Sequence, residues 1–390
     1  MMQQVAILWH VSLLVSPECR GLALGLVGLV RVGPIIVFSL LSGVAADALD
    51  RRRLMMATQG AAIAIAAALA LLTFWGLQVV WPVYLLAALG AAVSAFDGPA
   101  RQALIPTLVP RAHLANALSL NQIMFQSAGV LGPAIGGVLI ATLGVGWAYL
   151  FNAISFLCVL VALLMMREVP AVAPEGRSDV SFRAAGEGLR FVFASPVIRS
   201  TMLLDFVATF FASATALLPI FAQDILHVGA NGYGWLYAAP AAGALLTSFV
   251  MVRIVDRIER QGRVLLWSVA LYSLATVVFG VSHAFWLTFG CLAMVGAADT
   301  VGTVLRNVIR QLATPDRLRG RMTSINMVFF MGGPQLGEIE AGLLAHWRGA
   351  PFSVITGGVG ALVATAVIAA AVPVLRHYRL GHPPPLDAMG

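Results

Sequence analysis

The sequence predicts an all-α membrane protein with twelve spans in two pseudo-symmetric six-helix bundles. Three observations predict it. Apolar residues make up 60% of the 390 and charged residues 11%, whereas a soluble chain is nearer half apolar and a quarter charged. The apolar residues come in runs of about 20, the length that crosses the hydrocarbon of a bilayer. Counting those runs as spans also sorts the arginines onto one side. Within lipid the backbone must satisfy its own hydrogen bonds, so each run reads as helix. The 38 glycines suit close helix packing without water.

In order, the runs are 3–15, 22–46, 54–75, 79–96, 118–142 and 147–166, giving a first bundle over 1–166. A polar cytoplasmic linker, 167–198, follows. The second bundle, 199–376, holds runs 200–222, 232–252, 263–282, 284–303, 322–345 and 351–375, and a Pro-rich tail occupies 377–390. The first run is short. At 1.5 Å per residue it covers about 20 Å of a core near 30 Å, so the chain is expected to begin inside its first membrane helix. Trp75, Trp81, Trp147, Trp235 and Trp286 fall near span ends, as interface anchors do.

All 24 basic residues counted as Lys or Arg are arginine. With the 46–54 loop in the cytoplasm, 21 of the 24 lie on that side: Arg51 to Arg53, Arg101, Arg111, Arg167 to Arg199, Arg253 to Arg263, Arg306 to Arg321, Arg376 and Arg379. Arg20 and Arg348 lie outside, and Arg31 lies within a span. This positive-inside asymmetry puts both termini in the cytoplasm if helix one is complete, and it explains the net charge of +7 better than a nucleic-acid partner does. Cys19, Cys158 and Cys291 are far apart and form neither a disulfide framework nor a metal motif. No GxxxxGK[ST] loop and no catalytic constellation is evident, so no cofactor, no ATP drive and no enzyme activity are expected.

The two halves repeat. Asp47, Asp50, Arg51, Arg52 and Arg53 follow the second span, and Asp256, Arg257, Glu259 and Arg260 follow the eighth. The fifth span carries Gly132-Pro133-x-x-Gly136, and the eleventh carries Gly333-Pro334-x-x-Gly337. Parallel repeats of this kind belong to rocking transporters, with a substrate site at mid-membrane. The run from Gly43 through Asp47 to Arg53 resembles the major facilitator signature between helices two and three, with Asp50 where a Gly often stands. Gly132-Pro133-Ala-Ile-Gly136-Gly137 is similar to the GPxxGG motif of the antiporter branches. Phe96 to Gln102, Leu204 to Asp224 and Gly332 to Gln335 resemble the enterobactin-exporter-like, drug:proton antiporter-3-like permeases. The resemblance covers nearly the whole chain apart from the start of helix one.

That resemblance implies that Asp47 and Arg51 form a conformational latch, with Asp47 meeting the start of helix eleven near Met322 and Thr323. Asp50, Arg52 and Arg53 complete the loop motif and carry topology charge. Gly132, Pro133, Gly136 and Gly137 would serve as a hinge and a seal against ion leak. Close helix packing is the plainer role for the same flat, kinked face. Asp97 with Arg101 ends helix four, and Asp299 with Arg306 ends helix ten in the matching place. These read as cytoplasmic gate pairs.

Ionisable groups inside lipid are costly, so they mark coupling or substrate sites. Arg31 can bind an anionic group, pair with a carboxylate or snorkel outward. Asp205 lies near the start of helix seven, where an interface position is the plain alternative. Glu338 and Glu340 lie mid-span beside Gln335. They point about 200° apart, so at most one can face a central cavity. One of the two is the proton-carrying candidate. His10 lies within the incomplete first run and carries little weight. The reading is therefore a secondary transporter of the bacterial cytoplasmic (inner) membrane, a monomer, exporting small organic molecules of the drug or siderophore class as protons enter. A facilitator or importer of the same fold, or a truncated non-transporting membrane protein, are the other readings.

Overall fold

A computed structural model of the chain describes residues 1–48, 50–110, 113–166, 190, 192–211, 214–314 and 316–378. Twelve long helices are described: α1 Met2–Leu14, α2 Arg20–Ala48, α3 Arg51–Phe74, α4 Trp81–Leu108, α5 Leu114–Thr142, α6 Val145–Met165, α7 Pro196–Phe211, α8 Gly229–Ile254, α9 Gln261–Val281, α10 Phe285–Ala313, α11 Asp316–Arg348 and α12 Ala350–Ala371. A short turn of helix, Pro373–Arg376, follows. Ten helical stretches among the described residues are long and apolar enough to cross a membrane. The other two helices are α1, of 13 residues, and α11, of 33 residues, which carries Glu338, Glu340 and its arginines. Trp75, Trp81, Trp286 and Trp347 are all more than half exposed, while Asp205, Arg306 and Glu338 are buried. An apolar outside around a few polar interior groups is the arrangement lipid requires. The protein is a multi-pass membrane protein.

Local chemistry sets the helix ends. Asp50 caps α3, its Oδ1 accepting from the Arg53 N–H at 3.1 Å. The turn into α6 runs through Gly144 at φ +94°, and the corresponding turn into α12 through Gly349 at φ +87°. Both sit in the left-handed region that only glycine enters freely, so the internal repeat extends to its hairpins. Helices α4 and α10 continue well past the expected ends of 96 and 303, to Leu108 and Ala313, α4 running on through Gly98 and Pro99. Asp97 and Asp299 therefore lie inside their helices rather than at the ends.

Helix seven is irregular in its second half. The run 200–222 reads as one span, and Pro196–Ile225 is one apolar stretch long enough to cross, within which α7 is described as far as Phe211. The chain then takes a 3₁₀ turn at Ala214–Leu217, one α-turn at Leu218–Ile220 and a π-helix at Phe221–Ile225. Pro219 has no N–H to continue a regular ladder through this stretch.

The chain divides into two compact units, Met1–Arg177 with Ala216–Ala238, and Ser178–Thr215 with Ala239–Gly390. In the first unit α1 is buried among α2, α5 and α6, and Val5, Ala6, Leu8 and Val11 are almost wholly enclosed. In the second unit α7 packs on α11 and α12, and α9 packs on α10 and α12. Its core joins Leu204, Leu265, Val269, Leu305, Ile309 and Ile368. Backbones meet through small residues there: Gly243 abuts the Ala293 carbonyl and Gly296 abuts the Pro240 carbonyl, where a Cβ would collide. Of the expected linker, only 190 and 192–198 lie within the described residues, and of the tail only 377 and 378.

Candidate functional site

The second unit holds a buried charge cluster. Arg306, on the inward face of α10, is about 1% exposed. Its Nη2 lies 2.9 Å from Oδ1 of Asp205 on α7 and 3.2 Å from Oδ1 of Asp299, two turns back on α10. The Asp205 contact is a close ion pair without hydrogen-bond alignment, whereas the Asp299 and Thr303 contacts are hydrogen bonds. Arg310, one turn further on, lies 3.9 Å from the other Asp205 oxygen. It also donates to Asn307, at 3.1 Å, and to Asn326 of α11. Two guanidiniums and two carboxylates thus cancel, with Arg306, Arg310 and Asp205 buried and Asp299 part-exposed at the edge of the cluster. Asp205 belongs to this buried cluster.

The same unit places Glu338 in its interior, about 4% exposed, and Glu340 half-buried on another face of α11. That separation follows from their spacing of two residues. Gln335 lies one turn before Glu338, and its buried Oε1 has no hydrogen-bond donor among the described residues. Gly333 packs against the Thr209 hydroxyl of α7, where a Cβ would approach to 2.6 Å.

In the first unit Asp97 accepts from Nε2 of Gln59 at 2.8 Å and from the Thr58 hydroxyl at 3.1 Å, both on α3. Its other oxygen pairs with Arg101 one turn on. Each predicted Asp–Arg pair is therefore formed, within its own unit. Arg52 does more than mark topology. Its Nε donates to the carbonyl of Leu163 at 2.8 Å, and its Nη2 donates to that of Leu164 at 3.1 Å. It caps the last turn of α6, where the helix dipole favours a cation. Arg53 stays exposed beside Asp50. Gly43 and Asp47 lie on the last turns of α2, and their side chains, like that of Thr323, fall outside the described ones. Arg51 opens α3.

The Gly132–Gly137 face of α5 is a packing surface. A Cβ on Gly132 would meet Met1 at 3.0 Å, and one on Gly136 would meet Met2 at 3.0 Å. One on Gly137 would meet Cα of Gly234 on α8 at 2.6 Å and the Ala230 carbonyl at 2.8 Å. Pro133 lies inside the helix.

Next to that crossing lies a set of contacts that sequence reading did not find. Arg20 donates to both oxygens of Asp224, at 2.7 and 2.9 Å, and to the Ser12 carbonyl at 3.0 Å. Gln223 donates to the Ser12 hydroxyl at 2.7 Å. Trp9 stacks on Tyr233 with ring centroids 5.1 Å apart, and the Tyr233 hydroxyl donates to the Val5 carbonyl at 3.2 Å. Segment 216–238 is thereby tied to α1 and α2 at the end of the membrane marked by the Ser16–Cys19 turn. Partners some two hundred positions apart leave no local signal. Arg310 was legible, because 299, 306 and 310 share one helix face.

Comparisons with known proteins agree with this architecture. Residues 1–380 match the family described as transmembrane secretion effector, of the major facilitator class. The multidrug efflux pump Tap of Mycolicibacterium fortuitum is 30% identical over 361 residues, covering 90% of this chain and 87% of that protein. The enterobactin exporter EntS of Escherichia coli K12 is 27% identical over 359 residues, covering 92% and 84%. A solved bacterial homolog of the human lysosomal transporter Spinster, inward-facing and unoccupied, superposes with a TM-score of 0.69 at 15% identity, covering 96% of each chain. A POT family transporter in complex with 5-aminolevulinic acid gives 0.75 at 11% identity, covering 96% and 94%. These structures share the major facilitator fold of two six-helix bundles, and the chain belongs to the transmembrane secretion effector family of major facilitator transporters.

Proposed function

We propose that this transporter exports small amphipathic organic compounds, of the drug or siderophore class, from the cytoplasm of a bacterial cell in exchange for protons. Export is supported by two exporter relatives, each aligned over at least nine-tenths of the chain. Proton drive rests on one observation: a second unit that buries the carboxylates of Asp205 and Glu338 away from water, among apolar helices. A proton gradient biases a transport cycle only if some acid binds its proton differently in the two access states. Glu338 is the proton carrier in this reading, and Asp205, held by two guanidiniums, is the fixed counter-charge.

The halves 1–166 and 199–376, joined by the linker 167–198, would alternate access as a monomer in the inner membrane, with both termini cytoplasmic. Asp47 with Arg51, and the two Asp–Arg pairs, would govern the cytoplasmic openings. The Gly132–Gly137 face would keep ions from leaking. Dye accumulation in cells expressing the protein tests the proposal. Collapsing the proton gradient with an uncoupler should raise intracellular N-phenyl-1-naphthylamine to the level of cells lacking the protein. Glu338→Gln should do the same without an uncoupler. Accumulation that ignores both treatments overturns proton-driven export.

A further inference from the structure

Arg31 differs from the intramembrane arginines Arg306 and Arg310. Helix α2 enters the membrane at Arg20, just after the Ser16–Cys19 turn, and Arg31 lies eleven residues in, about 16 Å down the helix axis. That is near the middle of a core roughly 30 Å thick. Its guanidinium does not snorkel back. Nη2 sits 3.5 Å from Oε1 of Gln4, and Gln4 is ten residues below the same turn on α1, about 15 Å deep. The head group is therefore held at mid-membrane depth, half-buried.

Among the described residues no carboxylate pairs with it. Its one hydrogen bond among the described residues, to Gln4, is long. Nε2 of Gln4 has no protein acceptor among the described residues either, so the neighbourhood is rich in donors and short of acceptors. Nearby polar groups are satisfied by one another instead: Asn152 donates to Gln3 at 2.8 Å, and His10 meets the Tyr149 hydroxyl at 3.3 Å. A guanidinium fixed in lipid without a counter-charge is costly, and the five-donor fork is shaped for carboxylate, sulfonate or phosphate oxygens. Bound lipid does not supply them at this depth, since headgroups lie at the interface.

Resting on the export reading above, we infer that Arg31, assisted by the Gln4 amide, is the substrate-binding residue that recognises an anionic group, and that the transporter prefers organic anions among the compounds it exports. The full chain in phosphatidylcholine nanodiscs tests this. Two dyes share one ring system and differ by a sulfonate: 8-anilinonaphthalene-1-sulfonate and N-phenyl-1-naphthylamine. After subtraction of empty nanodiscs, the sulfonate should bind on the order of tenfold tighter, the usual worth of a charge-assisted contact. Arg31→Gln should erase that preference, and Arg31→Lys should keep part of it.

Equal affinities in the unaltered protein overturn the assignment, and this arm does not depend on any variant folding. A preference that survives Arg31→Gln overturns it as well, as does a preference abolished by adding anionic phosphatidylglycerol to the discs. Transport is read separately, as dye uptake by energised inverted vesicles. Uptake of neither dye with the binding preference intact sinks export and leaves the anion site. Uptake without any sulfonate preference sinks the anion site and leaves export.

Discussion

Two arginines inside the membrane show two ways of holding a charge there. Arg306, in the second unit, is completely enclosed and answered by Asp205 and Asp299. Arg31, in the first unit, is half-buried and answered by one amide oxygen. The difference separates structural charge from charge kept available. A neutralised cluster stays put because moving any member leaves another bare. An unneutralised guanidinium gains most when a ligand brings the missing anion.

The largest effect expected from this contrast is on stability. Asp205→Ala leaves Arg306 and Arg310 short of a counter-charge and should cost about 3–5 kcal/mol. Thermal unfolding in detergent should show a large fall in midpoint or loss of folded protein. Arg31→Gln, measured side by side, should leave the midpoint nearly unchanged, since no ion pair is lost. Equal destabilisation by the two would erase the distinction between the arginines. The next effect tests packing rather than charge. Gly137→Val drives a branched side chain into Gly234 of α8, an overpacking cost of about 1–3 kcal/mol. Dye export should fall steeply, while Gly144→Ala, in the open turn before α6, should act only through its backbone strain. Smallest is the partly exposed Arg20–Asp224 pair, worth about 0.2–1 kcal/mol. Arg20→Asp should weaken export, and adding Asp224→Arg should restore much of it. Failure of the double variant to recover would mean that Arg20 acts through the Ser12 carbonyl instead.

Much of this was legible in the sequence, for identifiable reasons. Span number and order follow from apolar length and arginine placement, both properties of local sequence. The Asp97–Arg101 and Asp299–Arg306 pairs were visible because their spacing fits one helix face. The divergence of Glu338 and Glu340 follows from helix geometry alone. What could not be read needed a partner distant in sequence: Asp205 against Arg306, Arg20 against Asp224, Gln3 against Asn152. The 3₁₀ and π turns within 214–225 were not legible, because hydropathy reports apolar length and is blind to the hydrogen-bond pattern around Pro219. Arg52 was read as topology charge because its acceptors are main-chain carbonyls, which composition does not display.

That last contact has a mechanical consequence. Residue 52 lies on the first turn of α3, just after the reverse bend from α2, and the carbonyls it grips lie on the last turn of α6, ahead of the long polar stretch toward α7. A tug on that stretch must either unwind the last turn of α6 or drag the bend with it. One guanidinium thus splices two ropes, and Arg52→Ala would let the first slip without moving the second.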